Sequence, residues 1–179
     1  DGLPAEQPEA FVRHLSEPVG ISLVVGHGSF RSVQMGSYEG NAIFLAVEDV
    51  ARLTSLTPSG PLFVLACSTG DFATEEEKGP CLSEAFLAHP GGPIGVVSST
   101  MTVEPMTNYL AARTLVAELA TSPKTIGELV LDVQRVLCSL GAKDYRALAQ
   151  SDSLAKRLLE SNPDSKSTDI QGLLQRECL

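Results

Sequence analysis

Positive charge is in short supply in this chain. Its 179 residues include 13 Lys and Arg against 22 Asp and Glu, a formal net charge of −9 at pH 7. That is the wrong balance for holding phosphate backbones, and nucleic acid is not expected as a partner. Long apolar runs are missing too. No window approaches the ~20 uninterrupted apolar residues of a membrane-spanning helix, and Asp1-Gly2-Leu3-Pro4 lacks the basic stretch and apolar run of a leader. A soluble chain with no membrane partner is expected. Cysteine is sparse: Cys67, Cys81, Cys138 and Cys178 are too few and scattered for a disulfide scaffold, and they form no C-x-x-C pair. Repeats and low-complexity tracts are absent as well.

The common cofactor motifs also fail on inspection. Gly26-His27-Gly28-Ser29-Phe30-Arg31 has arginine where a dinucleotide fingerprint needs its third glycine, and no Gly-Lys-Ser/Thr forms a phosphate loop. A phosphatase-type Cys-x5-Arg would need arginine at position 73, which is Ala73. Neither Ser29 nor Ser68 sits in a Gly-x-Ser-x-Gly elbow. His27, Cys67, Cys81 and His89 match no common zinc spacing. No cofactor and no metal are therefore expected.

What remains is an ordinary globular composition, 43% hydrophobic and 20% charged, which predicts a single domain over residues 1–179. Glu9 to Glu17 reads as a short helix with Ala10, Phe11, His14 and Leu15 on one face. Ile21 to Val25 is a β-branched run that stops at Gly26-His27-Gly28. Pro61 to Cys67, followed by Ser68-Thr69-Gly70, repeats that form, and Pro93 to Val97 before Ser98-Ser99-Thr100 is a third example. Helical patterns fall at Val47 to Ser55, Leu82 to Ala88, Met106 to Ala120 and Ile126 to Leu140, with a hairpin or extra strand within Val33 to Ala46. Residues 141–179 read as a helical tail. Strands alternating with helices predict an α/β three-layer sandwich, a mostly parallel sheet with helices on both faces. Three clear strands are few for such a sheet, so further strands are expected beyond one or both ends of this chain.

Loops converge at the carboxyl edge of an open parallel sheet. If the first two strands are neighbours, His27 and Cys67 emerge there together. A cysteine becomes a useful nucleophile when an adjacent imidazole helps form the thiolate and later protonates a leaving amine. Gly28 lets a backbone N–H approach a substrate, and with the N–H of Cys67 it supplies an oxyanion site. Cys81 and Cys138 have no basic partner in view, and Cys138 is expected to pack on the apolar face of Ile126, Leu129, Val130, Val133 and Leu137. His14 is expected at a helix surface or edge, and His89 in a loop.

Four blocks in order carry a family resemblance: Gly26-His27-Gly28-Ser29, then Cys67-Ser68-Thr69-Gly70-Asp71-Phe72, then Cys81 to Leu87, then Gly91 to Thr100. From about Ile21 to Leu119 the chain resembles the gingipain branch of the caspase, legumain and gingipain clan of cysteine peptidases. The resemblance implies a caspase-like fold and a cysteine-type endopeptidase acting on protein or peptide substrates. It implies His27 as general acid/base, Cys67 as nucleophile, and Gly28 with Cys67 as oxyanion donors, without metal or cofactor. It also implies a substrate wall after the third strand, with Ser99, Thr100, Met101, Thr102 and Glu104 as its candidates. Further domains of the same polypeptide and a secreted or cell-surface location follow from the same likeness. The caspase signature around the cysteine is not matched, so strict cleavage after aspartate is not expected. The alternative reading is a caspase-like scaffold or regulatory domain that binds protein partners without cleaving them.

Overall fold

The computed structural model describes residues 7–17, 20–38, 41–54, 59–73, 79–140, 144, 147 and 150–161. The chain divides into two units, Asp1–Val103 and Glu104–Leu179.

In the first unit, β1 (Ser22–Val25) and three later strands follow α1 (Gln7–Leu15): β2 (His27–Ser29), β3 (Ser32–Tyr38) and β4 (Asn41–Ala46). Then come α2 (Val47–Val50), β5 (Leu62–Leu65), α3 (Leu82–Ala88) and β6 (Val96–Ser98). The strands form two sheets. One is parallel in the order β1-β5-β6; the other is an antiparallel meander β2-β3-β4. A parallel sheet flanked by helices is the expected α/β, caspase-like arrangement. Leu62, Phe63 and Val64 are at most 2% exposed, as a central strand covered on both faces requires. The strands are shorter than the apolar runs: Pro61 and Pro93 lack the N–H a ladder needs, and Pro93 makes only an isolated bridge to Ser59.

One core joins these elements, with Val12 and Leu15 of α1, Val33 and Leu45 of the meander, Val64 of β5 and Phe86 of α3 among its members. His14 is exposed beside Glu17, off the buried face that Val12 and Leu15 define. The tight turn at Phe30-Arg31 ties the meander to both later helices. Phe30 O accepts from Leu82 N–H at 2.9 Å, Arg31 O from Val47 N–H at 2.9 Å, and the Arg31 guanidinium pairs with Glu48 at 2.7 Å. Helix α3 starts where Cys81 N–H donates to the Glu84 carboxylate at 2.8 Å, satisfying one of the orphan donors of a helix start.

The second unit holds α4 (Pro105–Leu119), α5 (Ile126–Ser139) and α6 (Ser153–Ser161). Pro105 opens α4 at a position whose N–H no helix needs. Thr125 and Glu128 cap α5 reciprocally: Thr125 Oγ1 accepts from Glu128 N–H at 3.3 Å and Glu128 accepts from Thr125 N–H at 2.8 Å. Lys124 reaches both Glu118 and, at 2.8 Å, Asp132. Leu129 and Leu137 are buried, whereas Cys138 is exposed. The core placement expected for Cys138 is thus corrected: one residue on from inward-facing Leu137 is a rotation of about 100°, which takes the thiol off the stripe. Cys178 and most of the 141–179 tail lie outside the described residues.

Candidate active site

The site grows from the register of two parallel strands. Val25 pairs with Leu65, and Gly26 N–H still donates to Leu65 O at 3.3 Å, so the two chains leave the sheet side by side. The first was expected to leave as a loop. Instead it enters β2 at once, with His27 opposite Gln34, Gly28 opposite Val33 and Ser29 opposite Ser32. The polar Gly-Ser sequence carries no alternating apolar signal, so this strand exists because β3 is there to pair with it.

Gly28 is packed against the other chain. A Cβ at this position would lie 2.5 Å from Cys67 O, 2.8 Å from Ala66 Cβ and 2.9 Å from Cys67 N. Any side chain at position 28 would overlap the main chain of Cys67. His27, one residue earlier, is exposed.

Beyond β5, Ala66 is fully buried and the chain turns over Cys67 to Gly70. Thr69 Oγ1 donates to Ala66 O at 3.3 Å within the turn. Ser68 has φ of +53°, a left-handed conformation uncommon for a residue with a side chain. Its neighbours hold it there. Ser68 N–H donates to Met101 O at 3.0 Å, Gly70 N–H donates to Ser99 O at 2.9 Å, and Ser83 N–H of α3 donates to Thr69 O at 3.0 Å. Gly70 is required by crowding, since a Cβ would sit 2.2 Å from Ser98 Oγ, which accepts from Ser83 Oγ at 2.7 Å.

The Cys67 thiol, half-buried, continues this pattern. Its Sγ accepts from Val103 N–H and donates to Val103 O, both at 3.4 Å. Residues 99, 101 and 103 therefore all address the turn with main-chain groups, as alternate residues of an extended segment do. Ser99 and Met101 are thereby tied to the turn that follows Cys67. Met101 is 58% exposed, Thr100 and Thr102 are exposed, and Ser99 is half-buried. Glu104 is the N-cap residue of α4 and belongs to the second unit.

The other sulfur and imidazole groups are differently placed. Cys81 is 1% exposed, and burial pushes its thiol up from the ordinary range, the condition of an inert structural cysteine. His89 sits in a loop, with Nδ1 accepting from Gly91 N–H at 3.1 Å. Among the described residues no cluster of three metal-ligating side chains occurs, and no helix is long and apolar enough to cross a membrane. The roles of Ser68 φ, Val103 and the Ser83–Ser98 pair were not foreseen from sequence. Main-chain donors and a backbone angle leave no residue-type signal to find.

The parallel sheet with its flanking helices is compatible with a caspase-like sandwich. The family profile described as peptidase family C25 matches residues 5–157. The chain belongs to that family, the gingipain family, and is a cysteine-type endopeptidase whose substrates are proteins or peptides. No curated protein and no solved structure matches it.

Proposed function

We propose that this chain hydrolyses peptide bonds with Cys67 as nucleophile and His27 as general acid/base. The observation that carries the reading is the seating of Gly28 against Ala66 Cβ and the main chain of Cys67, which brings the histidine strand to the cysteine turn. His27 takes the thiol proton as sulfur attacks the scissile carbonyl carbon. The carbonyl oxygen becomes an oxyanion held by the N–H groups of Gly28 and Cys67, and such a donor contributes about 3–4 kcal/mol. His27 then gives its proton to the leaving amine as the C–N bond breaks, leaving a thioester. A water, deprotonated by His27, attacks the thioester; the C–S bond breaks, the acid leaves and the thiol is restored.

The segment Ser99 to Thr102 would align the substrate, because residues 99 and 101 spend their carbonyls on the cysteine turn while Thr100 and Thr102 face away. An extended peptide adding to that free edge gains main-chain hydrogen bonds. Met101 is the side chain proposed to meet the substrate residue at the cleaved bond. No metal or cofactor enters this scheme.

A peptidyl acyloxymethyl ketone tests it. The wild-type chain should be labelled at neutral pH, Cys67→Ala should take no label, and His27→Ala should be labelled slower by several orders of magnitude. Cys67→Ala should melt close to wild type, because it loses only two long sulfur hydrogen bonds. Undiminished labelling of His27→Ala would overturn the assignment.

A further inference from the structure

A cysteine attacks as its thiolate, and an anion partly withdrawn from water needs donors aimed at it. In the proposed hydrolysis the N–H groups of Gly28 and Cys67 serve the carbonyl oxygen and not the sulfur. A different main-chain group reaches the sulfur itself: Val103 N–H donates to Cys67 Sγ at 3.4 Å. Val103 O, also at 3.4 Å, accepts the thiol proton. The two contacts divide by protonation state. The carbonyl serves the neutral thiol; once the proton has gone it has nothing to accept, and the N–H is the group of this residue that can bind the anion.

The donor is fixed before any substrate arrives. Strand β6 is tied to the central strand, with Ser98 opposite Val64, and the chain beyond it keeps the same phase. Ser99 O accepts from Gly70 N–H at 2.9 Å and Met101 O accepts from Ser68 N–H at 3.0 Å. Val103 is the next member of that alternation, so its main-chain groups face the same turn. Because those bonds hold the segment to the turn, the N–H need not reorient when charge appears on sulfur, which is the condition under which a donor contributes most to a reaction. Cys67 and Val103 are both half-buried, and a hydrogen bond to an anion is stronger there than in open water.

We infer that Val103 N–H is a further main-chain donor of the active site, binding the negative charge on Cys67 Sγ while Gly28 and Cys67 N–H bind that on the carbonyl oxygen. The segment from Ser99 to Val103 then has two duties, aligning the peptide along one edge and holding the nucleophile along the other. The inference rests on Cys67 being the nucleophile.

Exchanging the Thr102–Val103 amide for an ester tests this, since it replaces the N–H of residue 103 by oxygen and keeps the side chain. The whole chain, with the α-hydroxy analogue of valine placed at position 103 by nonsense suppression, is compared with wild type in two reactions. One is alkylation by iodoacetamide, whose iodide the thiolate displaces, read on the Cys67 peptide by mass spectrometry. The other is hydrolysis of fluorescently labelled casein. At neutral pH the ester should lower alkylation of Cys67 and kcat for casein by about 10-fold, the scale of a hydrogen bond to a charged group, while KM stays within about 2-fold. At about pH 10, above the ordinary thiol range, the alkylation deficit should close to within about 2-fold, because hydroxide then makes the thiolate in both chains. Val103→Pro removes the same N–H with a coded residue and should show the same convergence. The inference fails if the ester chain reacts like wild type at neutral pH. It also fails if both variants lose rate equally at the two pH values, which is how a merely structural disturbance behaves, or if they react faster, which would make Val103 a restraint on the sulfur. Cys67→Ala distinguishes the levels: casein hydrolysis by that variant overturns the nucleophile itself, whereas an inactive Cys67→Ala beside a normal ester chain overturns only the role of Val103.

Discussion

At position 28 the chain carries a hydrogen where any other residue would carry carbon, and the main chain of Cys67 fills the space. The nearest atom there is the Cys67 backbone oxygen, with Ala66 Cβ and Cys67 N close behind, and none of these can swing aside as the end of a long side chain would. Gly28→Ala should therefore push β2 away from the cysteine turn, costing about 1–3 kcal/mol of stability and about 100-fold in casein hydrolysis. Melting and rate measured on the same sample check this, and wild-type activity would mean that the contact does not govern the site. Ser68 works the other way: it keeps a left-handed φ because Met101 O binds its N–H. Single residues at this rim are thus selected by how close two main chains come.

Elements do the positioning. Strand β5 delivers Cys67 from a fully covered centre, and α3 braces the turn through Ser83 N–H to Thr69 O and Ser83 Oγ to Ser98 Oγ. The segment after β6 then lies along the turn with alternate carbonyls. Much of this was legible beforehand. The apolar pattern predicts the helix Leu82–Ala88, which the structure contains, and a hairpin or extra strand within Val33 to Ala46, where β3 and β4 lie. The strand His27–Ser29 was not legible, since a three-residue polar strand takes its structure from its partner. In the second unit the local signals are stronger: the Thr125–Glu128 cap holds the start of α5 whatever surrounds it. Thr125→Ala should cost about 1 kcal/mol, seen as a lower thermal midpoint with peptidase activity per folded molecule unchanged.

The whole molecule is acidic, and several of its few cations stand in ion pairs, Lys124 with two carboxylates. In the helical unit Lys124 holds Asp132 below the usual carboxylate range, the Tyr109 hydroxyl does the same for Asp152, and the Thr125 backbone and hydroxyl do so for Glu128. Carboxylates depressed on folding contribute stability that is fully present above their unfolded value near pH 4 and is lost as pH falls through the folded one. Lys124, raised chiefly by Asp132, and Tyr109, raised chiefly by Asp152, contribute below about pH 10 and lose it above. The melting temperature should therefore be flat between about pH 5 and 9 and fall on both sides. Lys124→Met should reduce the fall on the acid side; an unchanged acid limb in that variant would show that the pair adds nothing.

Composition, periodicity and short motifs determined the class of this protein, because each is carried by residue types: apolar runs stopped by glycine, helical stripes between them, and a cysteine after Leu65-Ala66. Family membership follows from the same linear pattern. The tertiary structure alone decided which neighbours those residues have. That Gly28 meets Cys67, that Gln34 stands opposite His27, that Cys138 faces out and that Val103 brackets the thiol all depend on strand register, helix rotation and main-chain groups that every residue possesses. Such relations are set by what lies across a sheet or around a helix, a distance that counting along the chain does not measure.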